Sequence, residues 1–336
     1  MKPGARKALG AAARLLLAAL LLFLVLRQVH WHDYPGPAGV RPGLLTMIAQ
    51  ADGLLLGAAM ACVMGSVLVS ALRLRLMLGV QGIPVGVGGI FKLAVMAEFF
   101  DTLIPGAFGG DVAKAWLLAR DRAGKAQPVI AVLADRFVGL MGRTLLAASV
   151  LAAAGFAGAA ADRSLWLPAA SLLAVVLLIG GALVFLFKPA VRRALRLEAL
   201  YPHLPLGRHL DDARAALRAL ARPGAYLGRA LLLTAASNIL SVSAVALLGR
   251  ALALPVASYH YFICIPLMDI VAAVPLTPGG LGVTEQLYVL YLGPLCELSG
   301  IVALALLVRG TAFCSGLLGF GFVLWNFSGL RRAPAA

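Results

Sequence analysis

Pro105-Gly106-Ala107-Phe108-Gly109-Gly110-Asp111 and Pro278-Gly279-Gly280-Leu281-Gly282-Val283-Thr284-Glu285 interrupt two apolar stretches at matching places in the two halves of the chain, and each break is followed by an acid. The surrounding sequence is too apolar for anything but membrane. Irregular backbone at membrane depth leaves N–H and C=O groups without partners, so it persists only where protein or a wet cavity satisfies them. A pair of such breaks in corresponding positions points to the binding site of a transporter.

Of 336 residues, 62% are hydrophobic and 13% charged, with mean hydropathy +0.95. A soluble domain cannot cover itself with so few charges. The net charge of +15 (29 Lys and Arg against 14 Asp and Glu) suits an anionic membrane face and anionic ligands. Nucleic acid is excluded as a partner, because the basic residues lie in short loops between spans and no soluble domain remains to dock a duplex. Cys62, Cys264, Cys296 and Cys314 are scattered through apolar segments without paired spacing. They read as reduced core residues, and no metal or other cofactor is expected.

Lys2, Arg6 and Lys7 precede the apolar run Leu15–Leu26 in the manner of a signal peptide, but no small-residue cleavage site follows. The run reads as a retained first span. The expected spans are 8–28, 44–72, 128–156, 164–187, 226–250 and 300–326, with broken regions at 86–120 and 258–296. Arg73 and Arg75 read as the end of the second span. Segment 188–229 holds nine Lys and Arg against Glu198, Asp211 and Asp212. By the positive-inside rule both termini are then cytoplasmic, while 30–40 and 251–257 face outward.

The fold class expected is an all-α polytopic membrane protein of about six full spans with two Gly/Pro-broken re-entrant hairpins, the halves related as an inverted repeat. An eight-span arrangement, with one broken region counted as two thin helices, is the rival. The whole chain, 1–336, forms one transmembrane domain. Its first half is 1–187, its basic connector 188–225 and its second half 226–328. Leu210, Ala213, Leu217 and Leu220 share one helical face and Arg214, Arg218 and Arg222 another. That pattern fits a helix on the inner leaflet or a solvated connector. In the outer loop, His30-Trp31-His32-Asp33-Tyr34 reads as an aromatic interface anchor rather than a metal site.

Asp135, Arg136 and Arg143 lie on the third span, and Arg309 on the last. At about 1.5 Å per residue, Arg143 is roughly 22 Å and Arg309 roughly 13 Å into its span. Each such charge costs about 2.5–3.5 kcal/mol at the bilayer centre. Arg143 and Arg309 therefore face a polar interior and pair with Glu98, Asp101, Asp111, Asp269 or Glu285. The pairs are either purely structural or part of a phosphate- or carboxylate-binding site. Helices beginning near Asp111 and Glu285 would present free N–H groups to an anion. Alternatively each acid caps its own helix or pairs with a base such as Lys114. The candidate substrate-binding set is Pro105, Gly106, Gly109, Gly110, Asp111, Lys114, Arg136, Arg143, Pro278, Gly279, Gly280, Gly282, Glu285 and Arg309. Glu98, Asp101, Asp135 and Asp269 are candidate coupling acids.

Glu98–Ala115 (EFFDTLIPGAFGGDVAKA), Ala134–Leu140 (ADRFVGL), Val274–Leu290 (VPLTPGGLGVTEQLYVL) and Arg309 resemble the flippase-like membrane domain of lysylphosphatidylglycerol synthases. The resemblance runs from about residue 10 to residue 328. It implies movement of an anionic or otherwise charged phospholipid between leaflets of a bacterial inner membrane. Two positions depart from the family, which often has Asn where Asp101 stands and Arg where Lys114 stands; the changes add an acid and weaken a phosphate fork. The chain ends ten residues after Asn326, so the soluble aminoacyl-transfer domain of the synthases is not expected, nor is synthesis of aminoacyl lipid. The alternatives are a membrane-embedded lipid-modifying transferase using Asp111 and Glu285, or an accessory subunit. The expected partners are membrane phospholipid and either a second copy of the chain or a lipid-synthetic enzyme.

Overall fold

A computed structural model describes residues 3–36, 39–103, 109–120, 126–158, 162–187, 225–274 and 276–330. Helix α1 covers Pro3–Leu26. A short antiparallel ladder, β1 (Tyr34–Gly36) with β2 (Gly39–Arg41), pairs Tyr34 with Arg41. The helix α2 (Leu44–Ala49) leads into α3 (Gly53–Val80). Then come α4 (Val87–Leu103), α5 (Gly109–Ala119), α6 (Ala126–Phe156) and α7 (Trp166–Phe187). The second half holds α8 (Ala225–Ala251), α9 (Ser258–Ala272), α10 (Val283–Leu292) and α11 (Leu298–Leu330).

The two halves repeat one pattern of element lengths. In the first, α3, α4, α5 and α6 have 28, 17, 11 and 31 residues. In the second, α8, α9, α10 and α11 have 27, 15, 10 and 33. Packing repeats too: α3 lies along α8, while the broken pair of each half leans on the last helix of the other, α4 on α11 and α9 on α6.

Among the described residues, five helical segments are long and apolar enough to cross a membrane, falling in α3, α6, α7, α8 and α11. In α1 the apolar run among the described residues is Leu15–Leu26. The four half-length helices α4, α5, α9 and α10 fall below the roughly 20 residues a span needs.

The second span differs from the expected 44–72. α2 closes at Gln50, and Asp52 starts α3 by accepting the N–H groups of Leu54 and Leu55, at 2.8 and 3.3 Å. The long helix is thereby displaced toward Val80. Arg73 is consequently not the end of a span: it lies within α3, 6% exposed. Arg75, also within α3, donates to the Val85 carbonyl at 2.8 Å.

The cysteines are unpaired, and Cys264 is buried, but Cys314 faces outward on α11 instead of into the core. In the loop before α2, Asp33 accepts the Gly43 N–H at 2.8 Å, which holds its carboxyl below the usual range. His30 stacks on Tyr34, ring centroids 3.9 Å apart. The predicted surface helix at 208–222 lies outside the described residues.

Two apolar clusters hold the helices together. One joins the stretch of α8 from Val242 to Leu252 with α9, α10 and the start of α11. The other joins the later part of α3 with α4 and the start of α6. On α6 the clusters claim Ala131 to Val138 and Ala147; on α8 they claim Ala230 and Val242 onward. On α8 the polar residues Thr234, Ser237, Asn238 and Ser241 fall between the two clusters, whereas Arg73, Asp135 and Arg136 lie among residues of the second.

Candidate functional site

Beside these residues lies a cavity of about 550 Å³, lined from α3, α4, α5, α6, α8, α9, the Gly279–Gly280 turn, α10 and α11. Among the described residues, four basic side chains reach it: Arg73, Lys114, Arg136 and Arg143. Five acids do so as well: Glu98, Asp101, Asp111, Asp135 and Asp269. Ser66 and Ser70 on α3, Ser237, Asn238 and Ser241 on α8, and Thr284 on α10 complete its polar wall.

The ion pairs differ in how firmly they are held. Arg73 forks onto Asp135, Nε to Oδ1 at 2.6 Å and Nη2 to Oδ2 at 3.1 Å, and Nη1 reaches Thr234 Oγ1 at 3.4 Å. Both partners are nearly sealed from solvent. A bidentate buried pair of this kind cannot lose one member without stranding the other. Gly139 makes room for it: a Cβ there would lie 3.4 Å from Arg73 Nη2.

Two further pairs occupy corresponding places in the two halves. Asp111, in the first turn of α5, receives Arg136 of α6 at 2.5 Å and Lys114 at 3.2 Å. Glu285, in the first turn of α10, receives Arg309 Nε of α11 at 2.7 Å. Arg309 Nη1 also donates to the Gly279 carbonyl at 3.2 Å, so it ties α11 to the second break. Glu285 is 1% exposed, and its other oxygen accepts the Gly282 N–H at 2.7 Å.

These contacts answer which use the first-turn acids have. The start of α10 is capped by its own Glu285, and the start of α5 by Asp101, whose Oδ1 accepts the Gly110 N–H at 2.6 Å. Neither of these two N–H groups is left open for an anion. A Cβ at Gly110 would meet the Asp101 carboxylate and lie 2.7 Å from the Ala97 carbonyl, so only glycine permits the cap. Gly282 adopts φ 79°, and a Cβ there would sit 2.6 Å from Leu21 Cβ of α1.

Arg143 of α6 meets Asp269 of α9 at 3.3 Å, Nε to Oδ2, with side chains 34% and 40% exposed. Among these pairs it alone has both side chains more than a third open. An arginine so exposed and facing a cavity can exchange its carboxylate for a phosphate oxygen.

The cavity thus gathers Asp111, Lys114, Arg136, Arg143, Gly279 and Gly280 of the expected set, together with Glu98, Asp101, Asp135 and Asp269. Gly109, Gly110, Gly282, Glu285 and Arg309 stand behind its wall as supports. Pro105 and Gly106 lie outside the described residues, as does the Pro278 side chain. Sequence reading missed Arg73 and the hydroxyl wall. A signal existed for α8: Thr234, Ser237, Asn238 and Ser241 recur at i, i+3, i+4 and i+7 on one face of an otherwise apolar helix.

The family model for the lysylphosphatidylglycerol synthase TM region matches residues 11–319, and the chain belongs to that family. No curated protein matches the chain. It is a multi-pass membrane protein.

Proposed function

We propose that this member of the lysylphosphatidylglycerol synthase TM family moves the charged headgroup of a phospholipid between the two leaflets of a bacterial inner membrane. The observation that carries the reading is the charged cavity, whose volume of about 550 Å³ suits a headgroup without its acyl chains. Its charges come from both halves of the chain and lie beside breaks in short helices, the arrangement transporters use at a midplane site.

Arg143 takes the phosphate, supported by Arg136 and Lys114, while the acyl chains stay in lipid. The acids hold the basic side chains in place when no lipid is bound, so an empty cavity leaves no unpaired guanidinium in the membrane.

The repeated lengths and the crossed packing of α4 on α11 and α9 on α6 support an inverted repeat with two re-entrant hairpins. Both termini and residues 188–229 are then cytoplasmic. Reconstitution tests the function. Purified chain in liposomes redistributes labelled phospholipid between leaflets and leaves it chemically unchanged; a new lipid species on chromatography would instead establish a transferase. Labelling of single cysteines from outside the cell tests the topology. Reactivity at position 209, or protection at position 34, would contradict it.

A further inference from the structure

Lys114 of α5 reaches the cavity with acids on several sides of it. It contacts Asp111 Oδ1 at 3.2 Å, and Asp135, Asp101 and Glu98 are near enough to act on its charge. Asp111 also holds Arg136 on Oδ2 at 2.5 Å, Asp135 is forked by Arg73, and Asp101 accepts the Gly110 N–H at 2.6 Å. Glu98 is half-buried at the cavity wall, about one helical turn before Asp101 on α4. The cation that acts most strongly on its carboxyl is Lys114, while Asp101 and Asp111 press on it with like charge. Of the other helices packed on α4, α3 brings Arg73 to the cavity and α11 brings the uncharged Ala312.

A phosphate in the cavity competes with these acids for Lys114. A guanidinium can hold a carboxylate with one nitrogen and a phosphate with another, so Arg136 can serve both. An ammonium is a single point of charge and moves from one partner to the other. As Lys114 moves, Glu98 loses its strongest positive neighbour, keeps Asp101 and Asp111 beside it and gains a further anion nearby. Carboxylates crowded in this way do not all stay ionised. We propose that binding of the lipid phosphate draws a proton from solvent onto the Glu98 carboxyl, and that release of the lipid returns it, so that lipid and proton cross together. The proposal rests on the lipid-translocation reading of the same cavity. A phosphodiester carries one negative charge, so a headgroup with no other charge crosses with its proton as a neutral unit and does no work against the membrane potential. A pH gradient then sets the direction of net movement.

The test uses purified full-length chain and short-chain phosphatidylglycerol in detergent. The phosphodiester stays ionised near neutral pH, so a pH dependence of binding there belongs to the protein. Binding linked to one proton weakens by up to about tenfold per pH unit as the free chain loses that proton. Titration calorimetry in two buffers of different ionisation enthalpy counts the same proton as uptake by wild type. Glu98→Gln, which keeps the shape of the protonated acid, should bind lipid with no proton uptake and a flat pH profile. Asp269→Asn, which alters the acid beside Arg143 instead, should keep the uptake. Lys114→Arg, whose fork holds carboxylate and phosphate at once, should take up less. In vesicles with an imposed pH gradient, wild type should gather fluorescent phosphatidylglycerol in the leaflet on the alkaline side, and Glu98→Gln should spread it evenly.

A wild-type chain that binds and moves phosphatidylglycerol equally at every pH, with no proton taken up, overturns the coupling and leaves the cavity reading standing. Uptake that survives Glu98→Gln, or is lost with Asp269→Asn, belongs to another acid and overturns the assignment to Glu98. Where Glu98→Gln does not fold, Lys114→Arg decides, and uptake as large as that of wild type overturns the exchange of partners. A wild-type chain that neither binds nor moves phosphatidylglycerol overturns the cavity reading and the coupling with it.

Discussion

Arg143 and Asp269 meet at the cavity wall at 3.3 Å, with both side chains more than a third exposed. Arg309 and Glu285, by contrast, meet at 2.7 Å with the acid 1% exposed. The two arginines looked alike in sequence as deep charges on apolar spans. Their surroundings differ: Arg143 lies against an open carboxylate at a cavity, Arg309 against a sealed one.

For Arg143, substitution by alanine leaves Asp269 partly solvated, so the stability change is small. The expected melting temperature is within a few degrees of wild type, about 1 kcal/mol or less. Lipid binding is lost with alanine and partly kept with lysine, because a point charge cannot reproduce the guanidinium fork. Melting curves with and without phosphatidylglycerol check both halves of this expectation.

For Arg309, substitution by alanine strands a carboxylate sealed from solvent. The expected loss is about 3–5 kcal/mol of stability. Glu285→Gln in the same chain removes the charge and retains an oxygen for the Gly282 N–H, so the double variant recovers most of the loss. Expression level and melting temperature of the single and double variants decide it. Equal stability of Arg309→Ala and wild type would show the pair to be dispensable.

Gly282→Ala combines a strained backbone at φ 79° with a Cβ 2.6 Å from Leu21 Cβ and 2.9 Å from the Ala18 carbonyl. Strain and overpacking together amount to about 2–5 kcal/mol. Poor expression or a strongly lowered melting temperature is expected. A variant as stable as wild type would mean that α1 does not seat on the second break.

Outside the membrane, Asp162 caps the turn before α7, accepting the Ser164 hydroxyl at 2.6 Å and its N–H at 2.9 Å. The hydroxyl, then the N–H, hold its carboxyl below the ordinary value. A depressed folded-state pKa stabilises above the unfolded value of about 3.9 and loses that contribution as pH falls through the folded one. The capping contribution is therefore constant from neutral pH down to about 4 and fades below it. Asp162→Asn should flatten the acid side of the melting-temperature profile, below about pH 4.

The helical frame was largely legible because its signals are local. Apolar runs marked the long helices, and the paired Pro-Gly breaks marked the half-length ones. Depth along a span also exposed Arg143 and Arg309, since a charge so far from both ends needs a polar neighbour. Arg73 was misread because its meaning is not local. A basic residue near the end of an apolar run looks like a cytoplasmic marker until Asp135, 62 positions away, is brought against it. The start of α3 was misplaced for a smaller reason: Asp52 interrupts the apolar run too briefly to outweigh it, yet its two hydrogen bonds begin a new helix. Asn238 passed unnoticed because a single amide among apolar residues carries no charge to betray its depth. Only its position on the face of Thr234, Ser237 and Ser241 gives it away.

Movement of lipid through the cavity is measured most directly in vesicles holding fluorescent phosphatidylglycerol in both leaflets, quenched from outside by an impermeant reductant. With wild-type chain nearly all the label should become accessible, against about half in protein-free vesicles. Arg143→Ala, reconstituted at equal density and with an equal melting temperature, should return the accessible fraction to the protein-free value. Wild-type vesicles that quench no further than empty ones would contradict lipid translocation, and an Arg143→Ala chain as active as wild type would contradict the site.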